Sequence, residues 1–462
     1  MTPRLLLLAS LLLAVPTFTL TLAERWAVPG FPNPLVDPFY AQPSDLSTLS
    51  LGQVIATRRT NSTFIPSSDN LDYSYQIKFR SQDSLSRPIA AITTVLVPRK
   101  KSRTSRGQAS LLSFQNFEDA VSLSCSPSWA YVAGSGSRAA GAANLEAPIV
   151  NGWALDQGHY VAIPDHQGPT SAFVAGVNAG HIIFDSIRAA LTHENLSLTK
   201  TQIGMYGYSG GANAGVFASS LAEAYAPELN IVGNAIGGTP VSPTDTFYML
   251  NRGPSSGLAG AGSLGLAAAY PDVKAFVDSA FTPLGKTIAA RLRSDGTCVP
   301  QVNTQFGFIN FFQLVSPPRD YLLEPVVRNA MARETLLQSQ ASYKVPVPKH
   351  PMYIYHAFFD EVVPFTSAQK YVKQQCQRGA DVRWVVFPAG LHIGVEIIGL
   401  PAAVDFLDRA FKGTLHQVIC GTAVPEIRLG SRRSIALLGE KRVAALKKAS
   451  HKGTWSSEIG ME

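Results

Sequence analysis

Short apolar runs alternate with amphipathic segments along most of this 462-residue chain. The runs are rich in β-branched and aromatic residues and are bounded by turn residues, which predicts strands of a sheet covered on both faces. Strand–helix alternation predicts an α/β fold with a mostly parallel sheet. The predicted strands lie at 75–79, 90–97, 110–114, 160–164, 203–206, 231–236, 352–356 and 382–387. The predicted helices lie at 180–193, 212–225, 367–378 and 393–411.

Two stretches lack this alternation. Before about residue 68, Pro and polar residues predict an irregular arm. Between 238 and 345 the chain is first Gly/Ala-rich and then mainly helical in pattern, and it separates two predicted strands, so we expect a cap outside the sheet. The sequence thus predicts one domain with a core at 24–238 and 346–424, a helical cap or lid at 239–345, and a tail at 425–462.

The N-terminus has the pattern of a secretory signal. Arg4 precedes an apolar stretch from 5 to 16. A small-residue cleavage pattern at 21–23 follows and ends at Ala23, directly before the charged pair at 24–25. This order predicts a cleaved signal at 1–23 and an extracellular protein, since the apolar core is too short for a retained anchor. In that oxidising destination the four cysteines would be bridged. The sequons at Asn61 and Asn195 would then be glycosylated where they are exposed.

The net charge of +7 lies mostly at the chain ends. The tail from 425 carries a net +4 and Arg4 adds one, so that +2 remains on the body of the chain. No basic stripe with interleaved aromatics occurs there, so we expect no nucleic-acid partner. We interpret the tail as solvated and partly helical. Contact of the tail with anionic lipid is the alternative.

The pattern G-x-S-x-G occurs twice, around Ser209 and around Ser255. Around Ser209 it directly follows an apolar strand and opens a predicted helix, which is the context of a nucleophile elbow. The turn is so sharp that the residues two before and two after the Ser crowd each other, so Gly is required at Gly207 and Gly211. Ser255 follows no strand, lies in the predicted cap and has Pro254 before it. We therefore predict that Ser209 is a nucleophile.

A Ser hydroxyl needs a positioned base, and in this fold the partners follow in the order Ser, acid, His. Among the five histidines after Ser209, His392 lies on the loop after the last predicted strand and is the predicted base. His356 lies inside a strand pattern and is interpreted as a buried, satisfied histidine. Asp360 and Glu361 follow the preceding strand, and the D-x-x-V-P arrangement favours Asp360 as the acid. The remaining downstream histidines lie at positions that do not suit a base: His350, His416 and His451.

Seven short segments resemble the fungal secretory lipase family. They lie at 118–119, 165–166, 207–211, 237–240, 300–302, 360–364 and 419–422. The resemblance runs from about Pro32 to Pro425. It implies an α/β-hydrolase fold with a helical cap and hydrolysis of acyl esters. On the matching positions it implies the triad Ser209, Asp360 and His392.

The same resemblance implies two further sets of residues. The oxyanion hole would be the backbone N–H of Gly210 together with Asp119, on the loop after the strand at 110–114. The disulfides would join Cys125 to Cys298 and Cys376 to Cys420. The number and spacing of the cysteines alone leave three pairings open.

These residues predict a secreted serine carboxylic-ester hydrolase that needs no metal or cofactor. We expect a lipase that cleaves fatty-acyl esters, touches a lipid interface transiently and is a monomer. The lid segment at 253–260 has Ser and Leu where similar lipases tend to carry Phe. A small-ester esterase or deacetylase acting on a secondary metabolite is therefore the alternative, followed by a peptidase or an inactive binding protein on the same scaffold. Some residues could line an acyl tunnel or form plain cap core: Phe306, Phe308, Phe311, Phe312 and Leu314.

Overall fold

A computed structural model of the protein describes residues 31–62, 69–102, 108–139, 146–422 and 427–452. The predicted signal at 1–23 lies outside these residues. Within them no helix is both long and apolar enough to cross a membrane. Two disulfides are present, Cys125–Cys298 and Cys376–Cys420, which are the pairs that the resemblance implied. The first ties the segment after the strand Ser110–Gln115 to the cap, and the second ties the chain after the helix His392–Lys412 to the helix Phe365–Cys376.

The described part of the chain contains one nine-stranded sheet in the order β1-β2-β3-β5-β4-β6-β7-β8-β9. The six strands from β5 to the β9 edge are parallel, and β1, β2 and β3 extend the sheet antiparallel at the other edge. This confirms the predicted α/β fold class. The strands are β1 Val54–Thr60, β2 Leu71–Gln82, β3 Pro88–Pro98, β4 Ser110–Gln115, β5 Tyr160–Pro164, β6 Gln202–Tyr208, β7 Asn230–Gly237, β8 Met352–Ala357 and β9 Val382–Phe387.

The central strands are buried along their whole length, as their apolar runs predict. Successive side chains of a strand point to opposite faces, so β6 places Ile203 and Met205 on one face and Tyr206 and Tyr208 on the other. β1 was not predicted, and the expectation of an irregular arm before residue 68 is wrong there. Its side chains are mostly half-buried or exposed because it is the edge strand, so no apolar run marks it.

Helices cover both faces of the sheet. One face packs against α3 Gly176–His193, α4 Gly210–Tyr225 and α11 Phe365–Cys376. The other face packs against α2 Ala147–Asp156 and the long α12 His392–Lys412. A short helix, α1 Pro127–Ala130, follows β4. The 3₁₀ turns in the described residues are Pro38–Tyr40, Leu46–Thr48, Leu123–Cys125, Phe311–Leu314 and Tyr321–Leu323.

The segment between β7 and β8 leaves the sheet and forms a helical layer with its own apolar core. Pro begins several of these helices at a position where its missing N–H costs nothing. The helices are α5 Pro243–Leu250, α6 Ser256–Ala269, α7 Pro271–Ala280, α8 Pro283–Leu292, α9 Val299–Gln305 and α10 Pro325–Arg333. The helical cap that belongs to the predicted fold is thus present.

The basic C-terminal segment is packed rather than solvated, which corrects the expectation from its charge. It forms α13 Arg432–Leu438 and α14 Glu440–Lys452. Leu438 and Leu446 are buried in the same core as Trp153 of α2 and Leu407 of α12. The cations lie mainly on the outer face, but Arg442 is buried and forms an ion pair with Asp156.

Candidate active site

Ser209 occupies a strained turn between β6 and α4. Its φ of 52° and ψ of −120° are unusual for a residue with a side chain, and such strain clusters at functional sites. Its N–H donates to Gly237 O at 2.9 Å, and its own carbonyl accepts from Asn213 N at 2.9 Å. The backbone on both sides of the turn is thereby fixed, and the hydroxyl stands at the N-terminus of α4.

The elbow glycines are required by close backbone approach. A Cβ on Gly207 would lie 2.5 Å from Gly211 O, which is the crowding that the sequence pattern predicted. A Cβ on Gly211 would lie 2.0 Å from Gln115 O, on the neighbouring strand β4. A Cβ on Gly210 would lie 1.7 Å from Asp119 Oδ1. Larger residues at these positions would push the elbow away from β4 and from the loop after it.

The structure brings Ser209, His392 and Asp360 together, as their sequence positions predicted. Ser209 Oγ lies 2.9 Å from His392 Nε2, and His392 Nδ1 lies 2.8 Å from Asp360 Oδ2. All three side chains are largely buried. Because Nδ1 faces a carboxylate, it carries the proton and leaves Nε2 free to accept the Ser209 hydroxyl hydrogen. The chain Ser–His–Asp is therefore continuous and correctly oriented for proton transfer.

Asp360 and Glu361, which are adjacent in sequence, have different partners. Asp360 Oδ1 accepts the backbone N–H groups of Val362 and Val363, at 3.0 and 2.7 Å, which leaves Oδ2 for the imidazole. Glu361 Oε2 accepts the backbone N–H of His392 at 2.8 Å and so caps the start of α12. One carboxylate thus faces the ring of His392, and the other holds its backbone.

Tyr208 also fixes the backbone of His392. Its hydroxyl donates to His392 O at 2.6 Å, and its ring lies 5.0 Å from the imidazole, centroid to centroid. Neither this contact nor that of Glu361 was predicted from the sequence, because both depend on the approach of α12 to β6 and to the loop at 360–364, which we call the acid loop. The sequence does show a Tyr directly before Ser209, but its position does not indicate which group its hydroxyl will bond.

Burial and charge oppose each other at the imidazole and its acid. Burial alone would lower the pKa of His392, but the charge and hydrogen bond of Asp360, together with the charges of Glu361 and Glu396, raise it above its ordinary value. Burial alone would raise the pKa of Asp360, but His392 lowers it below its ordinary value. Each partner therefore favours the charged form of the other, as an imidazolium formed during reaction requires.

Asp119 lies on the loop after β4 with a positive φ of 42°, directly beside Gly210. Burial raises the pKa of its carboxyl to about 7, although His392 and the Gly210 N–H lower it in part. Its Oδ1 has no hydrogen-bond partner among the described residues. The structure thus places Asp119 and Gly210 together beside Ser209.

The loop that carries Asp119 is held by residues at the end of β5. Asp165 accepts the N–H and the hydroxyl of Ser128, at 2.7 and 2.5 Å. His166 Nε2 donates to Asn116 O at 2.8 Å, three residues before Asp119. Burial lowers the pKa of His166 to about 4, so the ring is neutral at neutral pH. The segment 165–166, which carried part of the resemblance, anchors both ends of this loop.

An apolar pocket opens above Ser209, between the sheet and the cap. Its floor contains Asp119, Ser209 and Gly210. Its walls come from the loop after β5, from α5 and α6, and from the loop after Asp360: Phe173, Val174, Phe247, Leu250, Leu258 and Val362. Apolar walls over a few polar groups are typical of a small-molecule site.

The phenylalanines considered for an acyl tunnel do not line this pocket. Phe306, Phe311 and Leu314 are buried in the cap's own core, and Phe312 packs against that core. Phe308 is 74% exposed. Ser255 lies directly before α6 and follows no strand. No cluster of three or more metal-binding side chains occurs in the residues that the structure describes.

A strained Ser turn between a central parallel strand and a helix, with a helical cap above it, defines the α/β-hydrolase class. The family model "Secretory lipase" matches residues 142–417, more than half of the chain. The chain therefore belongs to the secretory lipase family, and it is a carboxylic-ester hydrolase.

Individual relatives agree with this assignment. The chain is 42% identical over 415 residues to Lipase A of Moesziomyces aphidis, and the aligned region covers 90% of this chain and 87% of the relative. It is 32% identical over 394 residues to the trichothecene C-3 esterase of Fusarium sporotrichioides, covering 82% and 84% of the two chains. The crystal structure of Candida antarctica lipase A matches with a TM-score of 0.86 at 40% identity, covering 90% of this chain and 95% of that one.

Proposed function

We propose that this protein is a secreted serine lipase that hydrolyses fatty-acyl esters, including acylglycerols, through Ser209, His392 and Asp360. The observation that carries the proposal is the continuous hydrogen-bonded chain from Ser209 Oγ through His392 to Asp360, below an apolar pocket. Membership of the secretory lipase family supports the substrate class, and similarity to Lipase A supports it further.

In the proposed reaction Ser209 Oγ attacks the ester carbonyl while its proton moves to His392 Nε2. The charge that develops on the carbonyl oxygen is stabilised by the Gly210 N–H at the start of α4 and by the O–H of a protonated Asp119 carboxyl, whose pKa burial raises to about 7. His392 then gives the proton to the leaving alcohol, and an acyl-enzyme remains on Ser209. Water, deprotonated by His392, attacks that ester, and His392 returns the proton to Ser209 Oγ as the acid is released. Asp360 holds the tautomer of His392 and stabilises the imidazolium at each step.

The pocket walls support an acyl chain as the bound group. They are contributed partly by α5 and α6 of the cap and partly by the sheet loops, so the chain would lie between the two layers. We propose a monomer that contacts a lipid interface transiently during turnover. Exposed apolar side chains beside the acid and the base would take part in that contact: Phe358, Phe359 and Leu391.

A small-ester esterase or deacetylase is the second candidate, and two observations favour it. The pocket wall from α6 carries Leu258, a smaller side chain than the Phe expected for similar lipases. A relative at 32% identity is named a trichothecene C-3 esterase, so the family is not confined to proteins named lipases. The same catalytic residues would act in both cases, and only the acyl-chain preference differs.

Hydrolysis of p-nitrophenyl esters from acetyl to palmitoyl by the purified mature protein tests both candidates. Ser209→Ala should abolish turnover, whereas Ser255→Ala, which alters the other G-x-S-x-G match, should leave it intact. Preference for long chains would support the lipase, and preference for acetyl or butyryl would support the small-ester enzyme. Turnover that survives Ser209→Ala would contradict the proposed nucleophile.

Secretion and glycosylation are part of the proposal. The signal pattern at 1–23, the two disulfides and the secretory family support export. Asn61 and Asn195 are exposed, as an acceptor must be. Protein purified from the medium of a eukaryotic host should lack residues 1–23. Its electrophoretic mobility should increase after enzymatic removal of N-glycans, and Asn61→Gln with Asn195→Gln should remove that change.

A further inference from the structure

His356 is a second histidine beside the acid of the proposed triad. Its side chain is fully buried, at 0% exposure, one residue before the end of β8. Its Nε2 lies 3.2 Å from Val363 O and 3.3 Å from Asp360 Oδ2. The same Asp360 oxygen lies 2.8 Å from His392 Nδ1. Two imidazole nitrogens therefore approach one carboxylate oxygen.

The surroundings of His356 select one protonation state. Nε2 faces two acceptors and must therefore carry a proton. Nδ1 has no hydrogen-bond partner among the described residues, so a proton on Nδ1 would form no hydrogen bond there. Burial lowers the pKa of His356, and the charge of Asp360 offsets this only in part. The rings of Phe365 and Trp384 both lie 6.0 Å from the imidazole of His356, centroid to centroid. His356 is thus a neutral donor that points at the acid loop.

The acid loop is held from both ends by this arrangement. Val362 and Val363 donate their N–H groups to Asp360 Oδ1, and Val363 returns its carbonyl to His356 Nε2. The turn that orients Asp360 is therefore fastened to β8 through His356. Nε2 also lies 3.3 Å from Asp360 Oδ2, so the positive end of its N–H dipole is close enough to offset part of the negative charge that faces His392.

We propose that His356 is a positioning residue that holds Asp360 against His392 and weakens the acid's hold on the His392 proton. The proposal rests on the proposed function, since it assigns His356 a role in that triad. Without the His356 N–H, Asp360 would be less well fixed, so the maximal rate would fall. The carboxylate would also bind the imidazolium more tightly.

The expected effect on pH dependence has a defined sign. The charged and titratable groups that act on His392 are Asp360, Glu361 and Glu396, and His392 in turn acts on the carboxyl of Asp119. Of these groups, Asp360 is the carboxylate that acts on His356, at 3.3 Å from its Nε2. Loss of the His356 donor therefore stabilises protonated His392 through Asp360 and raises the pKa of His392. The acid limb of kcat/KM should move to higher pH.

The test compares three variants of the full-length mature protein in the ester assay. His356→Leu removes the donor, and His356→Gln keeps an N–H donor of similar reach. His350→Leu is the matched control, because His350 is also buried and neutral, precedes the same strand and bonds Ser219 at 2.9 Å instead of the triad. Each variant is measured for kcat, KM, the acid-limb midpoint and thermal stability, beside wild type and Ser209→Ala.

We expect His356→Leu to lower kcat roughly tenfold with little change in KM, since small misplacement of a catalytic group has effects of this size. The acid-limb midpoint should rise by about half a pH unit, and His356→Gln should recover most of both. His350→Leu should lower stability without moving the midpoint. Should His356→Leu not fold, His356→Met provides a second donor-free side chain.

An unchanged midpoint in folded His356→Leu, or the same profile as His350→Leu, would overturn the proposal. The proton resonance of His392 Nδ1–H gives a readout that does not need turnover, and its titration should move upward in His356→Leu. Loss of Ser209-dependent turnover in the wild type would instead contradict the proposed function. The two failures are therefore distinguishable.

Discussion

At the scale of single residues, the site depends on two neighbouring carboxylates with separate tasks. Asp360 faces the imidazole ring, and Glu361 accepts the backbone N–H of the same histidine. The first contact sets which ring nitrogen carries the proton, and the second sets where α12 begins. A variant of each should therefore affect activity to very different degrees.

Asp360→Asn should lower kcat by about 10³- to 10⁴-fold with little change in KM, because the amide no longer favours the tautomer with the proton on Nδ1. Glu361→Gln is the matched control, since its amide oxygen can still accept the His392 N–H. It should keep most of the activity. Steady-state kinetics of both variants on one p-nitrophenyl ester checks this, and a greater loss in Glu361→Gln would reverse the assignment of the acid.

Gly210→Ala should lower kcat by about 10²- to 10³-fold, the range seen when one oxyanion donor is lost. The added Cβ would lie 1.7 Å from Asp119 Oδ1, so Asp119 and the start of α4 must separate. Gly394→Ala, where a Cβ meets nothing within 4 Å, is the control and should be near wild type. Equal activity of the two variants would argue against the proposed oxyanion hole.

The positions of the triad residues were predictable because each follows a recognisable strand in a fixed order. The roles of residues that act through close approach to the triad were not predictable. Tyr208 and Glu361 contact His392 through elements far apart in sequence, and His356 approaches Asp360 through the turn after β8, so no local pattern predicts which atoms will meet. His356 was interpreted as a satisfied core histidine, whereas its Nδ1 has no partner among the described residues and its Nε2 faces the acid.

At the scale of elements, the C-terminal helices differ most from the expectation. Their charge suggested a solvated tail, but Leu438, Val443, Leu446 and Ala449 recur near helical spacing and are buried against α12 and α2. This apolar stripe was present in the sequence, but the prediction of a solvated tail was based on the number of basic residues instead. The domain boundaries drawn from the sequence, including the limit of this tail, stay a prediction.

Leu438→Ala should lower the free energy of unfolding by about 2–5 kcal/mol, because the side chain is fully buried and its removal leaves a cavity. Leu437→Ala, at the partly buried neighbouring position, should cost clearly less. Denaturant titration followed by circular dichroism measures both. Equal, small losses in the two variants would mean that α13 and α14 contribute little to the fold.

At the scale of the whole molecule, two buried carboxyl groups make stability depend on pH. Glu146 of the segment before α2 and Glu396 of α12 are both at 0% exposure, and neither carboxyl oxygen of Glu396 has a hydrogen-bond partner in the described ranges. Burial raises the pKa of Glu396 to about 8, with His392 lowering it in part. Burial, and then Glu396, raise the pKa of Glu146 well above its ordinary value.

Between the ordinary value of 4.5 and about 8, the folded protein therefore holds a proton on Glu396 that the unfolded chain has lost. This contribution to stability is complete below pH 4.5 and is lost as the pH rises through about 8, by at most about 1.4 kcal/mol per pH unit. Glu396→Gln should flatten that decline, and the exposed Glu440→Gln should not. Denaturation at several pH values tests this, and an unchanged slope in Glu396→Gln would contradict it.

The central claim is that Ser209 is the nucleophile that forms an acyl-enzyme. Reaction of the mature protein with a p-nitrophenyl alkylphosphonate, followed by mass spectrometry of its peptides, tests this claim most directly. We predict one phosphonyl group per chain, located on Ser209, and loss of ester hydrolysis in proportion to its formation. Labelling at another residue, or full activity in protein fully labelled at Ser209, would contradict the account.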